Sequence, residues 1–446
     1  MGDSNRILSW VLNLPRHTDY SPPSPPDERR KRKIRNTASS HQLASPPTSL
    51  DDYDMASTPK RRRLEGGTSA RFDPDATPRP GTRSITADSS ASASASDTSS
   101  VSGASSPKKQ MMNLRLSDAG VIYRSLNERT APAVAETLFT TISDIGRGFD
   151  LVPDSFKATI TQKLKDRGME SRRWGHCFKP AGEADVLPGR IPSFDEVERV
   201  FVEAQECEDF RHEESAWNSQ VHLRLLEGIF KTPQGHLCDD FGSVSCTSAR
   251  PHREFKPSAS MAKMIDICVF ASVDRDTELK RAVIEFSKLT PTLSINHTDF
   301  EPTQHRPLLL SIETKRPGVD GDKAQLQMGV WHAAQWAFLR WAVGHSLVRR
   351  RIAQGSGAAN TDELRAAERA TLARLGFIPG IIVQGHRWHL VLSTYGEDGK
   401  TTLWAEWEIG STKSLQDIYA IVAGVRELTA WAKDVYLPWL RENVLN

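Results

Sequence analysis

The stretch Leu308–Gly318, LLLSIETKRPG, constrains this chain more than any other. An apolar run ending at a Pro-Gly stop reads as a buried strand. Its last residues nevertheless carry Glu313 and Lys315, which share one face because they lie two positions apart on a strand. A carboxylate beside an ammonium at a strand end can hold a metal ion and steer a water molecule. Taken alone, the pair also reads as a surface ion pair on a strand edge.

Only part of the chain can fold around such a strand. The sequence has 446 residues, enough for one large domain or two ordinary ones. Residues 1–112 are rich in Ser, Pro, Ala and charge, with too few large apolar side chains to bury a core, and read as a disordered tail. Within them Ser84–Ser106 is almost pure Ser, Ala, Thr, Asp and Gly, a low-complexity linker. Folding is expected from near Met111, with a helical region over 113–208 packed on a larger domain over 209–446.

Charge is unevenly distributed between these parts. Residues 1–112 carry 17 Lys and Arg against 12 Asp and Glu, while the remainder carries 41 against 44. A body that coats nucleic acid nonspecifically usually shows a clear basic excess, so nucleic-acid contact here must come from a local groove. The tail holds two basic clusters, Arg29–Arg35 and Lys60–Arg63, which read as addresses for a nuclear import receptor or as solvated basic patches. No window approaches the ~20 apolar residues of a membrane span. The opening Arg6–Pro15 is too short and too soon interrupted for a signal peptide, and resembles a brief amphipathic docking segment. The five cysteines, Cys177, Cys207, Cys238, Cys246 and Cys268, are widely spaced and odd in number, which implies free thiols. His236, Cys238 and Cys246 match no structural zinc spacing.

Periodicity predicts helices over Ala119–Leu126, Ala131–Ile145, Ser155–Leu164 and Asp195–Ala204. A stronger helix is expected over Glu213–Phe230, with Trp217, Val221, Leu225 and Phe230 along its apolar stripe and Glu214 at the stripe's edge. Glu214 also reads as an ordinary first-turn carboxylate. Extended segments follow at Phe241–Ser248 and Met261–Phe270, the latter with Asp266 among apolar neighbours. An unpaired charge is expensive to bury, so Asp266 must sit at a strand end, be hydrogen-bonded, or be held by a cation. Asp274–Leu289 reads as a helical insertion. After the Leu308–Gly318 strand come a long helix over Asp322–Arg349, strands at Phe377–Val383, Arg387–Thr394 and Thr401–Ile409, and a closing helix over Leu415–Leu440. This order is that of a mixed α/β layer protein.

Glu214, Asp266, Glu313 with Lys315, and Gln325 or Gln327 therefore fall on consecutive elements. The order Glu214-x-x-Trp217-Asn218-x-x-Val221-His222, Ile265-Asp266, Asn296-His297-Thr298, Ile312-Glu313-Thr314-Lys315-Arg316-Pro317, Gln325-x-Gln327-x-x-x-Trp331-His332 and Gly385-His386-x-Trp388 resembles the PD-(D/E)xK nuclease-like superfamily. It is most similar to the fungal branch. The resemblance spans roughly Phe210–Tyr436 and implies a restriction-endonuclease-like αβββαβ core. It also implies a metal-dependent nuclease that hydrolyses phosphodiester bonds in DNA or RNA, or a catalytically inactive nuclease fold serving as a nuclear nucleic-acid-binding or protein-interaction module.

The implied chemistry needs these residue types. Asp266 and Glu313, with the Thr314 carbonyl, would supply hard oxygen ligands to Mg²⁺ or Mn²⁺, and Mg²⁺ requires only one or two carboxylates. Lys315 would orient or help deprotonate the attacking water and stabilise transition-state charge. Glu214 would hold a metal-bound water or a second ion. Gln327 lies four residues before Trp331, on the same helix face, with Gln325 as the competing choice. Arg316 could touch the phosphate backbone, although an ideal strand turns it away from Lys315. Two departures stand out: Ile265 replaces the proline before Asp266, and 47 residues separate Asp266 from Glu313, which requires an insertion. His222, His332 and His345 read as structural or exposed, His297 has no base partner in view, and His386 and His389 lack further zinc ligands. Trp331, Trp336 and Trp341 recur along one helix and read as core.

Overall fold

The computed structural model describes residues 106–257, 264–318, 321–355 and 360–446. Both basic clusters and the low-complexity run up to residue 105 lie outside the described residues, as does the start of the strand expected from Met261. Seven strands form one mixed sheet: β1 (Val121–Ser125), β2 (Phe241–Ser245), β3 (Ile267–Ala271), β4 (Leu308–Lys315), β5 (Phe377–Gln384), β6 (Arg387–Tyr395) and β7 (Thr401–Ser411). Their spatial order is β1-β7-β6-β5-β4-β3-β2. β4 runs antiparallel to β3 and parallel to β5. Parallel neighbours need a crossover, which the Gly321–Ala353 helix and the Thr361–Leu375 helix supply. Every residue of β4 is buried, as expected of a strand covered on both faces.

Two hydrophobic clusters sandwich the sheet. The smaller joins Ala324, Leu326, Met328, Val330 and Trp331 of the long helix to Cys268, Ile382, Val391 and Leu403 of the strands. The larger packs the closing helix Leu415–Trp431 and the Leu223–Phe230 helix against Ile267, Ile312, Ile381 and Val383. Trp331 and Trp336 are fully buried, with their indole N–H groups donating to Ser311 Oγ and Ser393 Oγ at 2.8 and 3.0 Å. They are core residues, as their helical spacing implies. All five cysteines are free, and among the described residues no helix is long and apolar enough to cross a membrane.

Several boundaries differ from the sequence reading. The segment Ala119–Leu126, expected as helix, contains strand β1, paired in parallel with Thr401–Ala405 of β7. Its Val-Ile-Tyr composition suits a pleated surface, and the open edge of β7 decides between two readings that local periodicity leaves close. The region 113–208 is thus not helical throughout, since it contributes an edge strand to the sheet. A helix, Pro107–Leu116, begins inside the stretch read as tail, with Ser106 as N-cap and proline in the first turn, a favoured helix start. The Thr361–Leu375 helix has no counterpart in the periodicity reading. The expected Glu213–Phe230 helix runs as Glu214–Ala216, a π-helical segment Trp217–His222, and Leu223–Phe230.

The long gap between β3 and β4 holds the Thr277–Ser287 helix and a polar loop. Asn296 staples that loop to the start of β4. Its Nδ2 donates to Thr303 O and Arg306 O at 2.7 and 3.0 Å, and its Oδ1 accepts from Leu308 N at 2.9 Å. Three hydrogen bonds, two of them buried, end at once in Asn296→Ala, and the Leu308 N–H loses its Asn296 partner. Urea unfolding of metal-free protein should show a loss of about 2–4 kcal/mol. A loss within experimental error would mean that β4 needs no such staple.

Candidate active site

The sheet register brings the acidic residues together. β3 and β4 pair Ile267 with Ile312 and Cys268 with Ser311. One step further along the same register sets Asp266 across from Glu313. Residues so opposed carry Cβ atoms about 4.5–5.5 Å apart on one face. Asp266 ends a bend just before β3, and its Oδ2 accepts from Thr314 N at 2.8 Å and Thr314 Oγ1 at 2.9 Å. Hydrogen bonding at a strand end is one of the three ways in which a carboxylate can be tolerated in that apolar segment.

Glu313 is fully buried, and Lys315 is 6% exposed. Lys315 Nζ lies 2.6 Å from Glu313 Oε1 and 3.5 Å from Glu214 Oε2, and donates to Thr314 O at 2.6 Å. The Glu313 contact is an ion pair without hydrogen-bond alignment, and Glu313 Oε2 is buried with no partner. The pair is therefore not a surface ion pair. Glu214 approaches from the first turn of its helix, half-buried, which brings three carboxylates and one ammonium to the same end of the sheet.

Electrostatics follow from this crowding. Burial, reinforced by the Asp266 and Glu214 carboxylates, pushes Glu313 well above the ordinary carboxylate range despite Lys315. Burial likewise raises Glu214, against the pull of Lys315 and Lys323. For Lys315 burial works against the charged form, yet Glu313, Glu214 and Asp266 outweigh it, and the ammonium is held above its usual value. The surrounding carboxylates thus favour the charged form of Lys315.

The two glutamines separate. Gln327 Nε2 donates to Met264 O at 3.1 Å, two residues from Asp266, and its Oε1 is buried without a partner. Gln325 instead donates to Glu406 Oε1 at 2.6 Å, toward β7. Arg316 pairs with Glu213 at 3.4 Å. Asn296 and His297 are loop and core residues. The His297 ring packs edge-on against Trp331 at 4.4 Å, and burial pushes it down to about 3.

Sequence reasoning missed how the site is propped. Gly385, at left-handed φ 58°, donates its N–H to Lys315 O at 2.7 Å, and a Cβ there would collide with the Pro317 ring. His222 Nε2 lies 3.2 Å from Gly385 O, and its Nδ1 lies 3.0 Å from Asn218 Oδ1. Burial pushes His222 down to about 4, so it is a neutral prop. His386 packs edge-on against Trp217 at 5.0 Å and meets Glu208 Oε2 and Thr412 Oγ1 at 2.9 and 2.7 Å. The signal was the i,i+4 spacing of Asn218 and His222. Lys323 is a further missed cation, felt at Glu214 from the start of the long helix.

A family model described as the PD-(D/E)XK nuclease superfamily matches residues 160–437. The chain belongs to this superfamily. Comparisons with curated proteins and with solved structures yield no match. PD-(D/E)XK nucleases generally use divalent metals. The residues present fit such an ion: two adjacent carboxylates and a backbone carbonyl are hard oxygen donors, and Glu313 Oε2 is buried and unpartnered. Among the described residues no group of three or more His, Cys, Asp and Glu forms a ready-made cage. Sparse protein ligation suits an ion that keeps most of its water.

Because burial raises Glu313, its ionisation is linked to folding stability. Between the unfolded-state value near 4.5 and its higher folded-state value, the folded protein holds a proton that the unfolded chain releases. Stability from this group is present at low pH and lost as pH rises through the folded value. In metal-free protein, the stability of Glu313→Gln relative to the unsubstituted chain should therefore grow as pH rises above about 4.5. Urea midpoints between pH 4 and 8 measure it, and a pH-independent difference would contradict the assignment.

Proposed function

We propose that this protein is a metal-dependent nuclease that hydrolyses phosphodiester bonds in DNA or RNA, with Mg²⁺ or Mn²⁺ as its cofactor. One observation carries the reading: a fully buried carboxylate, Glu313, beside Asp266 in the bend that leads into β3, with Lys315 as the ammonium in contact with it. Such a concentration of negative charge in the interior is unfavourable for stability alone and is what a divalent cation would relieve.

The roles follow from the contacts. Asp266, Glu313 and the Thr314 carbonyl would hold the ion, which when bound supplies Lewis-acid stabilisation and a water of lowered pKa. Thr314 fixes the Asp266 carboxylate through two donors to one oxygen. Lys315, kept charged by three carboxylates, acts as a hydrogen-bond donor and cation toward the phosphate oxygens rather than as a base. Glu214, raised by burial and 3.5 Å from Lys315 Nζ, can accept a proton or a hydrogen bond from an attacking water. Gln327 offers a buried, unused amide oxygen to orient that water or the substrate. Arg316, half-exposed beside Glu213, can swing to a backbone phosphate. The fungal-branch assignment rests on the residue pattern, and nuclear import through Arg29–Arg35 and Lys60–Arg63 is part of the same proposal.

The test uses the full chain on end-labelled single- and double-stranded DNA and RNA, with Mg²⁺, Mn²⁺ or EDTA. Cleavage should require the ion and fall at least about 100-fold in Glu313→Gln and in Lys315→Met, with far-UV spectra unchanged. Cleavage that survives either substitution contradicts the reading. Tight binding without cleavage in both ions supports instead a catalytically inactive nuclease-fold module.

A further inference from the structure

The folded residues carry no net basic excess, so any anionic ligand must find a local concentration of positive charge. One exists away from the carboxylate–lysine centre. A cavity of about 310 Å³ lies between the Phe194–Asp209 helix, the Leu223–Phe230 helix and the turn at Thr232–Gly235. That volume is at the lower end of small-ligand sites. Four cations and two carboxylates line it.

The carboxylates are already committed. Glu196 forks onto Arg190, with Oε2 to Nη1 at 2.9 Å, and is held down to about 2 by that contact. Glu227 takes Lys231 Nζ at 2.6 Å. Arg224 uses only Nε, donating to Gln220 O of its own helix at 3.1 Å, which leaves its two terminal nitrogens outside that bond. Arg199, on the facing helix, has no acidic partner among the described residues. Thr232 adds a side-chain hydroxyl that is buried and without a hydrogen-bond partner. An unpaired buried hydroxyl is costly unless a ligand or water completes it. Two guanidinium groups with unspent forks and one hydroxyl, from three segments of chain, suit the several oxygens of a phosphate better than the two of a carboxylate.

We propose that this cleft is a phosphate-binding site, formed by Arg199, Arg224 and the Thr232 hydroxyl. The phosphate can belong to a nucleic acid or to a free phosphate-bearing small molecule. The first source rests on the nuclease reading. Arg224 follows Glu214 by ten residues on one helical run, through the π-helical segment Trp217–His222, so the cleft and the carboxylate–lysine centre are carried by the same run. A strand cut at the carboxylate–lysine centre would then be gripped at a second point along its backbone.

The experiment measures binding in EDTA, so its outcome does not depend on whether the protein cuts. Full-chain protein, Arg199→Ala/Arg224→Ala, Thr232→Val and a charge-matched control, Lys165→Ala/Lys433→Ala at exposed positions, are titrated with inorganic phosphate and with a labelled 12-nucleotide single strand. The double arginine variant should weaken at least one probe tenfold or more, Thr232→Val should weaken the same probe, and the control should weaken neither. Loss of oligonucleotide affinity, with the log–log salt slope shallower by about 1.4 for two lost contacts, identifies a nucleic-acid phosphate. Loss confined to inorganic phosphate identifies a small-molecule phosphate. If both probes bind the double arginine variant as they bind the unsubstituted chain, or if the control loses as much, the proposal is overturned.

Discussion

A carboxylate sealed inside a sheet, with an ammonium two residues along as its counter-charge, is the interaction on which this structure turns. Glu313 has no solvent exposure, and Lys315 almost none. Neither could be buried alone, because an uncompensated interior charge costs several kcal/mol. Together they are tolerated only where further polar groups converge. Here those groups are the Thr314 carbonyl and Glu214, with Asp266 locked beside them by Thr314. The balance still leaves more negative than positive charge, and the folded chain answers it by holding Glu313 above the usual carboxylate range.

Around this pair the fold is arranged as a clamp. The register of β3 against β4 sets Asp266 opposite Glu313, and Asn296 pins the entry to β4. At the exit, Gly385 caps the Lys315 carbonyl, and neutral, buried His222 sits against the Gly385 carbonyl. These props lie in three different parts of the sequence, and they fix the strand that carries the ion pair at both its ends. Precise placement matters for such chemistry, since a misplacement of about 1 Å can cost about 100-fold in rate.

The architecture was legible wherever periodicity and burial agree. The LLLSIETK run had to be a covered strand, and the tryptophan spacing on the next helix had to be core. Asp266 could be singled out because an aspartate amid isoleucines needs an explanation. Val121–Ser125 was misread as helix because its sheet partner, β7, lies some 280 residues downstream and no local pattern records that pairing. The choice between Gln325 and Gln327 was equally closed to sequence: two positions on a helix differ by a rotation, and only the packed long helix turns one to Met264 and the other to Glu406. The role of His222 was hidden because its partner carbonyl belongs to a hairpin 163 residues away.

The central claim is that Asp266 and Glu313 form a divalent-cation site whose charge Lys315 balances only in part. Crystals grown with Mn²⁺, with diffraction collected at the manganese absorption edge, test it most directly. The account predicts an anomalous peak in contact with carboxylate oxygens of both Asp266 and Glu313. A peak that touches neither residue at saturating Mn²⁺, with Lys315 Nζ still seated on Glu313 and the Thr314 carbonyl, would contradict it.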